Sequence, residues 1–360
     1  MAYVLGFQNL GHKVYLMEDI DPKRCHDSNF NPVSFEKWEG RFRFESLTQF
    51  YGIWPRCCLI YNNGEDTHGM SFKKAVKVAK ASDLLINIQA RLKTRDILEN
   101  VRCRAYIDIN PAKTQVYQAE YGIDRGFDKH DYFFTVGLNI GTPRCDIPTC
   151  GLTWYGIMPP VVLSLWPVNI DDIGKRFTTI SNWVGKNTFN FKGRYSGEKV
   201  NNWLKVIELP NKTSQELEIA LNINPAYDKE IKLFKKNGWV LSDPKQLSTL
   251  EDYRRYIATS RAEFSIANNR YVQFNTGWFS DRSARYLASG KPVLVQSTGI
   301  EDQLPMGKGL LTFKTMEEAV AGIEAINSDY LAHCQAARSI AEKHFDSDKV
   351  LSNMLKQIGF

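Results

Sequence analysis

Apolar residues along this chain recur with two spacings. Short alternating or continuous apolar blocks predict strands at 14–17, 83–87, 104–108, 132–136, 177–181, 217–221, 239–241, 263–267, 293–296 and 310–313. Apolar residues three and four apart predict helices at 3–10, 71–81, 94–101, 198–209, 227–236, 250–259, 281–289, 316–326, 330–344 and 349–358. Gly11, Gly238 and Gly290 follow helical runs, where a left-handed residue ends a helix at low cost. Strand–helix–strand alternation implies parallel sheets with right-handed crossovers. The alternation is interrupted at 142–167, which is rich in proline, glycine and cysteine and reads as an ordered connector. The expected fold is therefore α/β, with two tandem Rossmann-like domains facing across a cleft, 1–168 and 169–345. The chain begins inside its first helix. A doubly wound domain needs a strand and glycine turn before that point, so the first sheet is expected to lack its opening strand, through a mis-assigned start or a sequence that begins late.

The stretch 261–299 concentrates the chemistry. A buried strand at 263–267 is followed by the polar loop 268–276, then Gly277, Trp278, Phe279 and Ser280, and then a helix opening at Asp281. Ser or Asp at a helix start caps free amides, and the same amides with the helix dipole suit a phosphate. Gly277 lets backbone approach a ligand, and Trp278 offers a ring face for stacking. Glu18 and Asp19 follow a strand at the edge where ligands of open α/β sheets bind. A basic loop holding Lys186, Lys192 and Arg194 is expected to face the same cleft.

Composition narrows the function classes. Of 360 residues, 43% are hydrophobic and 24% charged, as in ordinary globular proteins. The formal charge of +6 is spread out, with no run of five basic residues. That argues against dedicated nucleic-acid binding and suits an anionic ligand such as a diphosphate. Seven scattered cysteines point to a reducing compartment rather than a disulfide framework. Cys145 and Cys150 lack a second Cys/His pair at metal-ligand spacing, so no metal site is expected. No apolar run approaches the roughly 20 residues that span a bilayer, and no signal peptide pattern opens the chain; the expectation is a soluble, cytoplasmic protein. Dinucleotide, Walker, zincin and serine-elbow motifs are missing.

Gly-Trp-Phe-Ser280, then a helix, Ala288-Ser-Gly-Lys-Pro-Val293, Ser297-Thr-Gly299 and Gly309-Leu-Leu311 succeed one another in an order that resembles the donor half of GT-B glycosyltransferases. The run from His344 to Ser352 is similar to the tail of bacterial members, whose last helix crosses back to the first domain; here that helix would be 346–360. Leu10-Gly-His-Lys-Val-Tyr15 and Thr135-Val-Gly-Leu-Asn-Ile-Gly141 resemble an N-terminal half found in uncharacterised glycosyltransferase-like proteins.

The resemblance implies a nucleotide-diphosphate sugar as donor substrate, no cofactor, and a small-molecule, glycan or protein acceptor. It places Gly277, Trp278, Ser280, Asp281 and Arg282 with Lys186 or Lys192 around the diphosphate, and Arg261 and Glu263 toward the nucleotide. Charge-assisted contacts there stabilise the leaving group. His130, oriented by Asp131, is the expected base for an inverting reaction, ahead of His12 and Asp19. Two departures stand out. Gly277 and Arg285 occupy the positions of the two glutamates in the retaining-enzyme pattern. In the H-x-G-W-x-S pattern, Asn275 and Ser283 replace the histidine and the later glutamate. A non-catalytic sugar-nucleotide or glycan-binding protein and a sugar-nucleotide epimerase are the alternatives.

Overall fold

The computed structural model describes residues 1–169, 174–183 and 188–360. The first half runs α1 (Ala2–Asn9), β1 (Leu16–Ile20), α2 (Glu39–Phe50), β2 (Cys57–Tyr61), β3 (Asp66–Gly69), α3 (Phe72–Lys80), β4 (Leu84–Ile88), α4 (Arg95–Leu98), β5 (Cys103–Asp108), α5 (Lys113–Glu120), β6 (Tyr132–Thr135) and β7 (Trp154–Gly156). Strands β4, β5, β6 and β7 lie side by side in that order, all parallel, with Asn87 opposite Tyr106 and Ile107 opposite Phe134. β1 pairs in parallel with β2, which pairs antiparallel with β3, as a separate three-stranded sheet. β7 falls within the expected connector; its three residues are too few to carry a periodic signal.

The second half runs β8 (Phe177–Asn182), β9 (Asn190–Phe191), β10 (Arg194–Tyr195), α6 (Lys199–Lys205), β11 (Leu217–Asn222), α7 (Asp228–Lys236), β12 (Val240–Ser242), α8 (Leu250–Ala258), β13 (Ala262–Ser265), α9 (Asn269–Gln273), α10 (Asp281–Ala288), β14 (Val293–Gln296), β15 (Leu310–Phe313), α11 (Met316–Ser328), α12 (Tyr330–His344) and α13 (Ser347–Gln357). Six parallel strands take the order β12-β11-β8-β13-β14-β15. All four residues of β14 are buried, which explains its unbroken apolar run: helices cover both faces of the sheet. One face packs on the aromatic group Trp203, Phe234, Trp239 and Phe264, whose rings meet largely edge to face.

The sheets are α/β Rossmann-like units, as the alternation predicts. After β8 the chain builds outward through β11 and β12, then returns to the other side of β8 with β13. Strand order reverses there, so β8 and β13 flank a topological switch point, where open α/β sheets bind ligands beyond the carboxyl ends of the strands.

At the carboxyl end of the chain, α13 leaves α12 and packs on α1 and the first domain, burying Val350, Leu351 and Met354 beside Phe7 and Phe134. Each such side chain contributes about 1.5–3 kcal/mol by burial. Gly6 makes the approach possible, since a Cβ there would stand 2.6 Å from the Leu351 side chain. The crossing is fixed by backbone hydrogen bonds on both sides of Val161, from its N–H to Phe345 O (2.7 Å) and from Ser347 N–H to its carbonyl (2.9 Å). Among the described residues, no helix is long and apolar enough to cross a membrane.

Candidate functional site

The switch point is organised by α10. Ser280, extended at φ −74° and ψ 135°, accepts the Arg282 N–H on its hydroxyl (3.2 Å) and so starts the helix. Gly290, at φ +71°, follows its end. From the first turn Arg282 reaches back under the sheet edge. Its Nε lies 2.5 Å from Glu263 Oε1, Nη1 donates to Ile180 O of β8 (2.7 Å) and Nη2 to Ser265 Oγ of β13 (2.8 Å). One guanidinium thus clamps both strands of the switch point to the helix. Burial would pull its pKa down, but the adjacent Glu263 carboxylate raises it above the ordinary arginine value.

Lys199 is the first residue of α6, a helix tied to the same strand ends where Asn202 Nδ2 donates to Ala267 O (3.2 Å) and Trp203 Nε1 to Ser181 Oγ (3.2 Å). The Lys199 ammonium is pushed down to about 7, by burial first and then by the Arg282 charge, with Glu263 opposing. A small pocket opens at the start of α10, lined by Ser265, Trp278, Ser280, Ser283 and Gln296 among others. Two of the buried oxygens in this region, Ser283 Oγ and Glu263 Oε2, have no hydrogen-bond partner among the described residues. The free amides of the first α10 turn, the Lys199 ammonium and the Ser283 hydroxyl are the donors an anion would meet here, while the Glu263 carboxylate is matched by Arg282.

The first domain closes over this site through the loop after β6. Asn139 is fully buried; its N–H donates to Thr276 O (3.0 Å) and its side-chain amide to Asn275 O and Gly299 O (2.9 Å each). Gly137 bridges Trp278. Gly277 sits at φ +67°, and a Cβ there would come within 2.9 Å of Asn139 Cγ, so the position requires glycine on two counts. Trp278 stacks on Tyr271 with ring centres 4.5 Å apart. At the start of α1 the Tyr3 phenol is pushed up, mainly by burial and then by the Asp281 charge.

The other residues expected at the site are placed as follows. Lys186 lies outside the described residues. Lys192 sits on the turn of the β9–β10 hairpin, where it pairs with Asp146 (3.5 Å) beside Arg194, which binds the same carboxylate. Phe189 and Phe191, flanking this loop, pack with Phe274, Val116 and Ile147, so the basic loop docks onto the first domain. Arg261 precedes β13, bonds Asn327 Oδ1 (2.6 Å) and lies over the Tyr330 ring. Asp281 pairs with Arg285 one turn on (2.8 Å).

His130 is buried. Its Nδ1 meets Gly126 O (2.7 Å) and its Nε2 meets the Asn87 amide (3.1 Å), so the network assigns the proton to Nδ1. Burial above all lowers its pKa, which keeps it neutral. Asp131 precedes β6 and pairs with Arg104 (3.1 Å). His130 is thus held within the packing of the first domain, while Asp131 is exposed and held by Arg104. Asp19 is likewise committed, to the Thr94 hydroxyl (2.7 Å) and the backbone N–H groups of Lys93 and Thr94.

Lys199 escapes sequence reasoning because nothing in Gly197-Glu198-Lys199 tells that α6 bonds to Ser181 of β8 and to Ala267 just beyond β13. Asn139 escapes because its partners lie more than 130 residues away.

No family model matches this sequence, and no curated protein matches it. Solved structures do match in fold. The crystal structure of Anabaena HepE in complex with UDP superposes with a TM-score of 0.55 at 13% identity, covering 96% of this chain and all of that one. HepE with UDP and glucose gives a TM-score of 0.57 at 13% identity, and HepE with UDP-glucose 0.54 at 14%; each covers 88% of this chain and 89% of the other. With two parallel Rossmann-like sheets and α13 crossing between them, this chain has the GT-B glycosyltransferase fold that its motif order resembles.

Proposed function

We propose that this chain transfers a sugar from a nucleotide-diphosphate donor to an acceptor held by the first domain, without a cofactor. One observation carries the reading. The capped start of α10 and the Arg282–Glu263 pair meet at the carboxyl edge of the switch point between β8 and β13, where α6, opened by Lys199, is also tied down. A diphosphate seated there would accept the free amides of the first helical turn and draw Lys199 fully into its protonated form. The structural likeness to proteins crystallised with UDP and UDP-glucose supports trying uridine donors first.

In the proposed reaction an acceptor hydroxyl oxygen attacks the anomeric carbon and the bond from that carbon to the β-phosphate oxygen breaks. The nucleoside diphosphate leaves with the bonding electrons. Negative charge grows on its phosphate oxygens, where Lys199 and the α10 amides stabilise it more than in the ground state. The hydroxyl proton passes to a base or to the departing phosphate itself. The buried, doubly bonded His130 favours the second route over a histidine base.

Calorimetric titration with UDP, GDP and TDP, followed by assay of nucleoside diphosphate release with an acceptor panel, tests the reading. Lys199→Met is expected to weaken UDP binding about tenfold and to leave uridine binding unchanged. Equal affinity of the variant for UDP would overturn the site. Binding without any release would reduce the protein to a sugar-nucleotide binder, and release that needs no acceptor would favour an epimerase.

A further inference from the structure

Three cations stand on segments that meet at the carboxyl edges of the two large sheets, apart from the Arg282 pair: Gly137 packs on Pro111 and bridges Trp278, which stacks on Tyr271, and Gln89 joins Asp108 to Arg125. Lys113 opens α5 just beyond β5, Arg125 follows α5, and Arg270 comes from the other domain, on α9 just beyond β13. Both arginine charges press on the Lys113 ammonium, which burial and then Arg270 and Arg125 hold below the usual lysine range. Arg125 Nη2 donates to Gln89 Oε1 (3.2 Å) and Arg270 Nη2 to the Tyr271 hydroxyl (3.3 Å). The Nε atoms of both arginines are buried and have no partner among the described residues. None of the three cations forms an ion pair among the described residues.

The carboxylate at this strand end is not free to neutralise them. Asp108 is fully buried, with one oxygen held by Gln89, Asn110 and Thr114 and the other by Gln115 and Thr135. Three positive charges against one such carboxylate leave a net charge of +2 over a partly buried surface. Gathering like charges there costs free energy unless an anion joins them.

We propose that Lys113, Arg125 and Arg270 form a subsite for a phosphoryl group carried by the acceptor, an inference that rests on the sugar-transfer reading. Two of the cations stand on the first domain, where that reading puts the acceptor. Tyr271, next to Arg270, stacks on Trp278 of the α10 pocket and so connects the subsite to the donor side. A dianion at Arg270 would also draw the two domains together, since the cations come from both.

The test titrates the whole protein, Lys113→Gln and Arg270→Gln with glucose 6-phosphate, glucose and UDP, and measures sedimentation with phosphatidylcholine vesicles with and without phosphatidic acid. Wild type should bind glucose 6-phosphate or phosphatidic acid vesicles but not the uncharged controls. Which of the two binds identifies a soluble or a lipid-borne phosphate. Each variant should lose about tenfold or more of that affinity, and Arg270→Lys should retain most of it. Affinity for UDP should stay within about twofold throughout. The proposal is overturned if wild type does not distinguish phosphorylated probes from controls, if the variants bind them unchanged, or if UDP affinity falls in parallel, which would give the cations to the donor. Failure of wild type to bind UDP at all would strike the donor reading alone.

Discussion

Replacing Arg282 with methionine removes one charge from an ion pair in which Glu263 is fully buried and Arg282 is 15% exposed. Methionine fills much of the same volume, so the loss is mainly electrostatic. Breaking a buried pair from one side costs about 3–5 kcal/mol, because the remaining charge keeps its desolvation penalty. Ile180 O and Ser265 Oγ also lose their donors, and these losses overlap with the first. The expected destabilisation at pH 7 is therefore about 3–5 kcal/mol, read from urea denaturation followed through tryptophan fluorescence. Trp183, Trp203 and Trp239 report from the core of the same domain.

The sign of the pH dependence is specific. In Arg282→Met the abandoned Glu263 carboxylate takes up a proton more readily folded than unfolded, so its stability falls as pH rises above the ordinary glutamate range. The slope can reach about 1.4 kcal/mol per pH unit. The gap from wild type should therefore narrow between pH 7 and pH 5. The double variant Glu263→Gln, Arg282→Met should recover part of the loss at pH 7 and show no such narrowing. A destabilisation below about 1 kcal/mol, the size expected of a surface pair, or a double variant as unstable as the sum of its singles, would refute the clamp.

Lys199, with a pKa lowered to about 7, binds fewer protons folded than unfolded, so stability should rise from about pH 7 toward the ordinary lysine range. The slope is at most about 1.4 kcal/mol per pH unit, reduced by partial solvent exposure, and Lys199→Met should abolish it in melting curves. Gly277→Ala must place a side chain at φ +67° and against Asn139, which should cost about 1–3 kcal/mol and lower the melting temperature. Asn139→Ala leaves buried carbonyls unpaired across the domain junction and should cost about 1–3 kcal/mol. It should also increase amide exchange at residues 275–278, and unchanged exchange there would count against the junction.

Elements with their own punctuation were legible. β14 is read to the residue because an all-buried strand is simply continuously apolar, and α10 because Ser280 and Gly290 mark its ends. α9 was not, since five residues in the polar run 268–276 form too short a helix to show a period. The hairpin within the basic loop was hidden for a related reason: Phe189 and Phe191 pack on Phe274, far along the chain, and on first-domain residues such as Val116 and Ile147.

The sequence alone determined the alternation of strands and helices, hence parallel sheets, and the cap that starts α10. These depend on neighbours a few residues apart, where spacing and backbone preference act directly. Only the tertiary structure decided what the charged residues do. It buried His130 between Gly126 and Asn87, gave Lys192 to Asp146, closed Arg282 onto Glu263, and tied α6, which Lys199 opens, to the strand ends at the switch point. A charged side chain's role depends on its solvation and on partners far along the chain, and chain order carries neither.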